Sequence, residues 1–123
     1  MGETLTLLGQ IHFLQGNFED ANRKFHEGLA MIRHADDRLV KSNVLLYLCN
    51  AYSRLKPQST MQILGMLHNY YPINPLMKRE SDSAIAQARE HLDEAAFLRA
   101  WAKGKEMTIE EAFDLALTTM EMM

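Results

Sequence analysis

The chain is poor in the residues that would place it in several whole classes of protein. Cysteine occurs once, at Cys49, so no internal disulfide can form, and a lone thiol suits a reducing, cytoplasmic compartment. Three prolines and six glycines in 123 residues are too few for an all-β chain with many turns. No apolar run approaches the roughly 20 residues of a membrane span, and the start Met1-Gly2-Glu3 lacks a secretory leader's basic region. Gly2 followed by Thr6-Leu7 is poor support for myristoylation. Clustered positive charge is scarce too. Up to Met61 there are seven Lys and Arg against six Asp and Glu; from Gln62 onward there are six against ten. Only Lys103-Gly104-Lys105 forms a basic cluster, and Glu106 follows it. Contact with phosphate backbones relies on such clusters, so direct nucleic-acid binding is not expected.

Catalytic signatures are equally thin. The glycines are isolated and no Gly-Lys-Ser/Thr occurs, which argues against a phosphate loop. The five histidines show no His-Glu-x-x-His or Cys/His ligand spacing. Ser59, Ser81 and Ser83 belong to no nucleophile elbow. Glu110-Glu111 could pass for paired carboxylates, but adjacent helical residues point apart and acids suit a helix's first turn. His91 and Glu94 read as a surface pair. The expectation is a non-enzymatic chain with no metal and no cofactor.

What is abundant is helix former. Apolar residues make up 47% and charged residues 24%, ordinary values for one globular domain, with Ala, Leu, Met, Glu, Lys and Gln well represented. An all-α fold follows. Residues 5–32 read as two helices joined at Gly16-Asn17, the glycine in the usual place just past a helix end. Leu5, Leu8, Ile11, His12 and Gln15 fall on one face of the first helix, with Leu7 and Leu14 a second stripe. In the second, Phe18, Ala21, Phe25, Gly28, Leu29 and Ile32 keep a 3.6 spacing; Gly28 there implies a close helix–helix approach. Asp36 or Asp37 caps a third helix over about 37–55, in which Cys49 reads as a structural thiol. Pro57 opens a fourth, to about Tyr71. Tyr70-Tyr71-Pro72-Ile73-Asn74-Pro75 breaks the chain. A fifth helix runs from Met77 or Ser81 to His91. A sixth begins near Asp93, with Phe97, Leu98, Trp101 and Ala102 inward, and Gly104 closes it. Thr108 and Glu111 form a capping box before a final amphipathic helix through Ile109, Ala112, Phe113, Ala116, Leu117 and Met120.

Leu8-Gly9, His12, Gly16, Phe18, Ala21, Phe25 and Gly28 together resemble a tetratricopeptide repeat. His12 replaces the usual Tyr, Leu5 the frequent Trp, and Arg33 the usual Pro. The tail, Leu92-Asp93-Glu94-Ala95-Ala96-Phe97, Trp101, Gly104 and Thr108-Ile109-Glu110-Glu111-Ala112, resembles the C-terminus of LuxR/MalT-like bacterial signal-transduction ATPases. Those resemblances imply antiparallel helix hairpins stacked as a short right-handed superhelix: a first repeat over 1–33, a degenerate second over 37–71, and a C-terminal helical cap over 77–121. They imply the sensor or regulatory segment of a bacterial transcriptional regulator, binding a protein, a peptide or a small inducer, or holding its own ATPase module in a longer chain. A free-standing scaffold or adaptor is the alternative. In such repeats the first helix of each hairpin lines the concave side, which puts Glu3, Thr6, Gln10 and Phe13, then Lys41, Asn43 and Tyr47, on a partner groove; the same residues also suit a plain solvated helix face. The apolar N-terminal face around Leu7 and Leu14 would favour a homo-oligomer.

Overall fold

The computed structural model describes residues 2–70, 72 and 74–121. They form seven helices, with no strand among them: α1 (Gly2–Leu14), α2 (Phe18–Ile32), α3 (Arg38–Tyr52), α4 (Pro57–Tyr70), α5 (Pro75–Arg89), α6 (Glu94–Lys105) and α7 (Ile109–Glu121). Tyr71 and Ile73, part of the expected break, lie outside the described residues. None of the helices is long and apolar enough to cross a membrane.

Local chemistry sets the boundaries. Gly16 adopts φ +82°, a conformation that suits a residue without a side chain, and it ends α1. Asp37 accepts from the amides of Leu39 and Val40 at 3.0 and 3.2 Å and starts α3. Asn74 accepts from Met77 N at 2.9 Å, and Pro75 occupies the first turn of α5, earlier than the apolar pattern indicated. Asp93 caps α6 through Ala96 N at 2.7 Å. Before α7 the box closes in both directions: Glu111 N donates to Thr108 Oγ1 at 3.1 Å, and Thr108 N donates to the Glu111 carboxylate at 2.9 Å. Each satisfied end removes orphaned backbone donors.

The helices α1/α2 and α3/α4 form hairpins, and α1, α3 and α5 lie side by side. One core runs through the chain: Phe25 and Leu29 from α2, Leu45, Leu48 and Tyr52 from α3, Met61, Ile63 and Leu64 from α4, and Ala112, Phe113 and Ala116 from α7. Beyond α5 the hairpin pattern is lost. The principal neighbour of α6 is α4, and α7 packs on α4, α2 and α3. The Tyr52 hydroxyl donates to Asn22 Oδ1, whose Nδ2 donates to the Met120 carbonyl at 3.2 Å. Arg33 pairs with Asp114 on the same side.

Three expectations need correcting. The buried stripe of α1 is Gly2, Thr6 and Gly9, not Leu5, Leu8 and Ile11. Gly28 leaves no room for a Cβ between Thr6 and the Gly2 carbonyl, and Gly9 abuts the Phe25 ring. Small residues win the inward face because the two backbones approach closely, so Leu7, Leu8, Ile11 and Leu14 are turned out to solvent. Gly104 does not close α6. It lies inside the helix, buried, where a Cβ would run into the Gln62 carbonyl of α4. Leu98 and Ala102, expected inward, are exposed, because α6 meets α4 through Phe97, Ala100 and Gly104.

Candidate functional site

Polar residues recur along α3 and the turn that follows it at intervals of four, three and four: Asn43, Tyr47, Asn50 and Arg54. At 100° per residue Asn43, Tyr47 and Asn50 share one helix face. Their partners come from α1 and α5. Asn43 Nδ2 donates to the Glu3 carboxylate at 3.3 Å, and Asn50 Nδ2 donates to the Glu80 carboxylate. Gln87 Nε2 reaches Asn50 Oδ1 at 3.4 Å and Ser83 Oγ at 3.2 Å, while Ser53 Oγ donates to Gln87 Oε1 at 2.6 Å. Arg54 Nε lies 3.2 Å from Glu90. These pairs advance in step along both chains, so α1, α3 and α5 run parallel. Tyr47 sits half-buried among them, and burial, together with Glu3 and Glu80, pushes its phenol above the ordinary range.

Beside this ladder is a cleft of about 310 Å³. Its α1 and α2 wall is Gln10, Phe13, Leu14 and Phe18. Asn50 and Ala51 of α3, with Arg54 and Leu55 of the turn after it, form the second wall, and Ser83 and Gln87 close it from α5. The floor is held rigidly: the Phe13 ring lies 5.0 Å from Phe18, edge-on, and 4.9 Å from Tyr52. Leu14 at the rim is 80% exposed. Apolar walls joined to amide groups that can both donate and accept suit the binding of a side chain or a short chain segment.

Of the residues expected on a groove, Glu3, Asn43 and Tyr47 meet at one end of the ladder, and Gln10 and Phe13 line the cleft. Thr6 is a correction. It is fully buried between α1 and α2, its hydroxyl donating to the Glu3 carbonyl at 2.8 Å, because Gly28 opposite draws the helices together. Lys41 is a second correction: two residues before Asn43, it falls on the other side of α3. The α5 contribution was missed. Its signal was present as the polar stripe Glu80, Ser83, Gln87, Glu90, spaced three, four and three.

One other pairing has the look of chemistry. His68 Nε2 lies 2.8 Å from Ser81 Oγ. Ser81 is only 1% exposed, so no substrate can reach its oxygen, and Asp82 turns away to Lys78 at 2.8 Å. The imidazole instead meets the Trp101 ring, centroids 4.7 Å apart. Burial lowers its pKa, as does Lys105, while Asp82 opposes them. Cys49 is fully buried and its thiol is pushed up by desolvation, which makes it a poor nucleophile. Glu94 pairs with Arg89 at 3.2 Å rather than serving His91. Among the described residues no three His, Cys, Asp or Glu side chains gather in a metal-holding group.

No family model, curated protein or solved structure matches this chain.

Proposed function

We propose that this chain is a non-catalytic interaction module that binds a protein or peptide segment in the cleft between α1, α3 and α5. The observation that carries the reading is the cleft itself: a rigid aromatic floor, an exposed leucine rim and a pre-organised set of amides from Asn50 and Gln87. Groups already held by one another lose little freedom when a partner arrives. The resemblance of the repeat and of the tail supports a place as the sensor segment of a cytoplasmic bacterial transcriptional regulator. Binding would then act by favouring one of two states of the larger protein, in proportion to its differential affinity for them.

The test is a peptide panel of mixed composition titrated into the isotopically labelled protein. Binding at this site moves the side-chain amide resonances of Asn50 and Gln87 and leaves the Trp101 indole on the α6 side unmoved. A panel that perturbs neither amide sinks the proposal, as does turnover of ATP or of simple esters by the purified chain.

A further inference from the structure

The cleft lies where three parallel helices end. Leu14 closes α1, Tyr52 closes α3, and Gln87 lies in the last turn of α5. The carbonyls of Phe13, Tyr52 and Gln87 accept from the turns that follow, and each helix end carries the negative end of its dipole. Charge on the adjoining ladder is negative on balance: Glu3, Glu80 and Glu90 stand beside the cleft against Arg54, which lines it and is engaged by Glu90 at 3.2 Å. Glu3 and Glu80 are held by the neutral amides of Asn43 and Asn50, and no cation is paired with either among the described residues. Glu80 is one turn before Ser83 on α5, about 4.5 Å along the axis from the cleft wall.

Resting on the binding role proposed above, we infer that the cleft selects a peptide segment in which a large apolar side chain is accompanied by Lys or Arg within a residue or two. The apolar side chain enters between Phe13, Leu14, Phe18 and Leu55. The cation reaches Glu80 and, past Tyr47, Glu3. Charge complementarity of this kind sets which partner is accepted and how fast it is captured. An acidic segment meets the helix ends and two carboxylates with its own charge and is turned away.

The test uses the intact chain and three capped eight-residue peptides: one with a Leu and two Lys, one with the Lys replaced by Glu, and one with the Leu replaced by Ala. Fluorescence anisotropy should show the first bound at least ten-fold more tightly than either other at low salt, with the preference over the acidic peptide shrinking as salt is raised. Glu80→Gln and Glu3→Gln should each weaken it about three-fold, the range of a solvent-accessible charge pair. Gln retains the oxygen that accepts from Asn50 or Asn43, and unchanged circular dichroism confirms that the fold is kept. Equal binding of all three peptides, with Asn50 and Gln87 still shifting, overturns the inference about charge and leaves the cleft as a binding site. Preference for the acidic peptide overturns it as well. Failure of every peptide to shift Asn50 and Gln87 overturns the cleft reading itself, and peptide binding that maps to another face does the same.

Discussion

Replacing Gly104 by Ala should destabilise the protein strongly although it adds only one methyl group. In an exposed helix interior the same change gains about 1 kcal/mol from helix preference. Here the Cβ would meet the carbonyl oxygen of Gln62, with the Gln62 carbonyl carbon and Cα close behind. Backbone atoms have no alternative rotamer, so relief requires α6 to move away from α4. Gly65 leans on the Trp101 carbonyl one turn along the same crossing, so the displacement opens the whole contact. Overpacking of this type costs about 3 kcal/mol, and subtracting the helix gain leaves a net loss of about 2 kcal/mol. For a chain of this size that lowers the thermal midpoint by about 10 °C, readable by circular dichroism, with a matching fall in the urea midpoint at unchanged slope. Gly65→Ala should behave alike, and the double variant should lose less than both single losses combined, since helices already parted admit the second methyl cheaply. A Gly104→Ala protein as stable as the parent, or more so, would refute the close crossing and with it the placement of α6.

Other consequences are open to measurement. Gly16→Ala should cost about 1 kcal/mol because Gly16 sits at φ +82° with open space around it, and Gly16→Asn should recover part of the loss by tolerating that backbone; denaturant titration of the two decides. Tyr52→Phe should cost about 1 kcal/mol by leaving Asn22 Oδ1 without its buried donor, and a neutral result in urea would show that bond to be idle. His68 has a lowered pKa when folded, so the unfolded chain takes up the proton first; stability should decline as pH falls below about 6.5, with Trp101 fluorescence changing in step, and His68→Asn should flatten that part of the profile. Four aliphatic side chains on α1, Leu7, Leu8, Ile11 and Leu14, with Ile11 half exposed, should drive concentration-dependent association that Ile11→Glu with Leu14→Glu abolishes in sedimentation; a parent that stays monomeric at millimolar concentration removes the expectation.

Helix ends were the most legible part of this chain because their determinants are local. Asp37, Pro57, Thr108 with Glu111, and Gly16 each act within three or four residues, so the sequence carries the whole interaction. The α7 face was equally readable: Ala112, Phe113, Ala116 and Met120 keep helical spacing and all are buried. The orientation of α1 was not, because hydrophobic periodicity assumes that the largest apolar residues face inward. That assumption fails where small residues permit backbone contact, and Gly2, Thr6 and Gly9 were themselves a periodic stripe opposite the leucines. Gly104 misled for a related reason. A glycine near a helix end reads as a terminator, whereas a glycine facing another glycine-bearing helix reads as a contact, and only the partner Gly65 on α4 tells them apart.

The same distinction separates the two sides of the molecule. Between α4 and α6, Gly65 and Gly104 meet backbone directly, and between α1 and α2 the glycines let the helices close on Thr6, Phe25 and Ile32, so each crossing is close and tightly packed. Between α3 and α5 the contact is a ladder of amides, hydroxyls and carboxylates. Asn50, Ser83 and Gln87 sit both in that ladder and at the cleft. A partner can therefore exchange hydrogen bonds with α3 and α5 without disturbing the crossings. Recognition on this chain belongs on the side where bonds can be traded, and the glycine crossings keep the walls of the cleft in place while that happens.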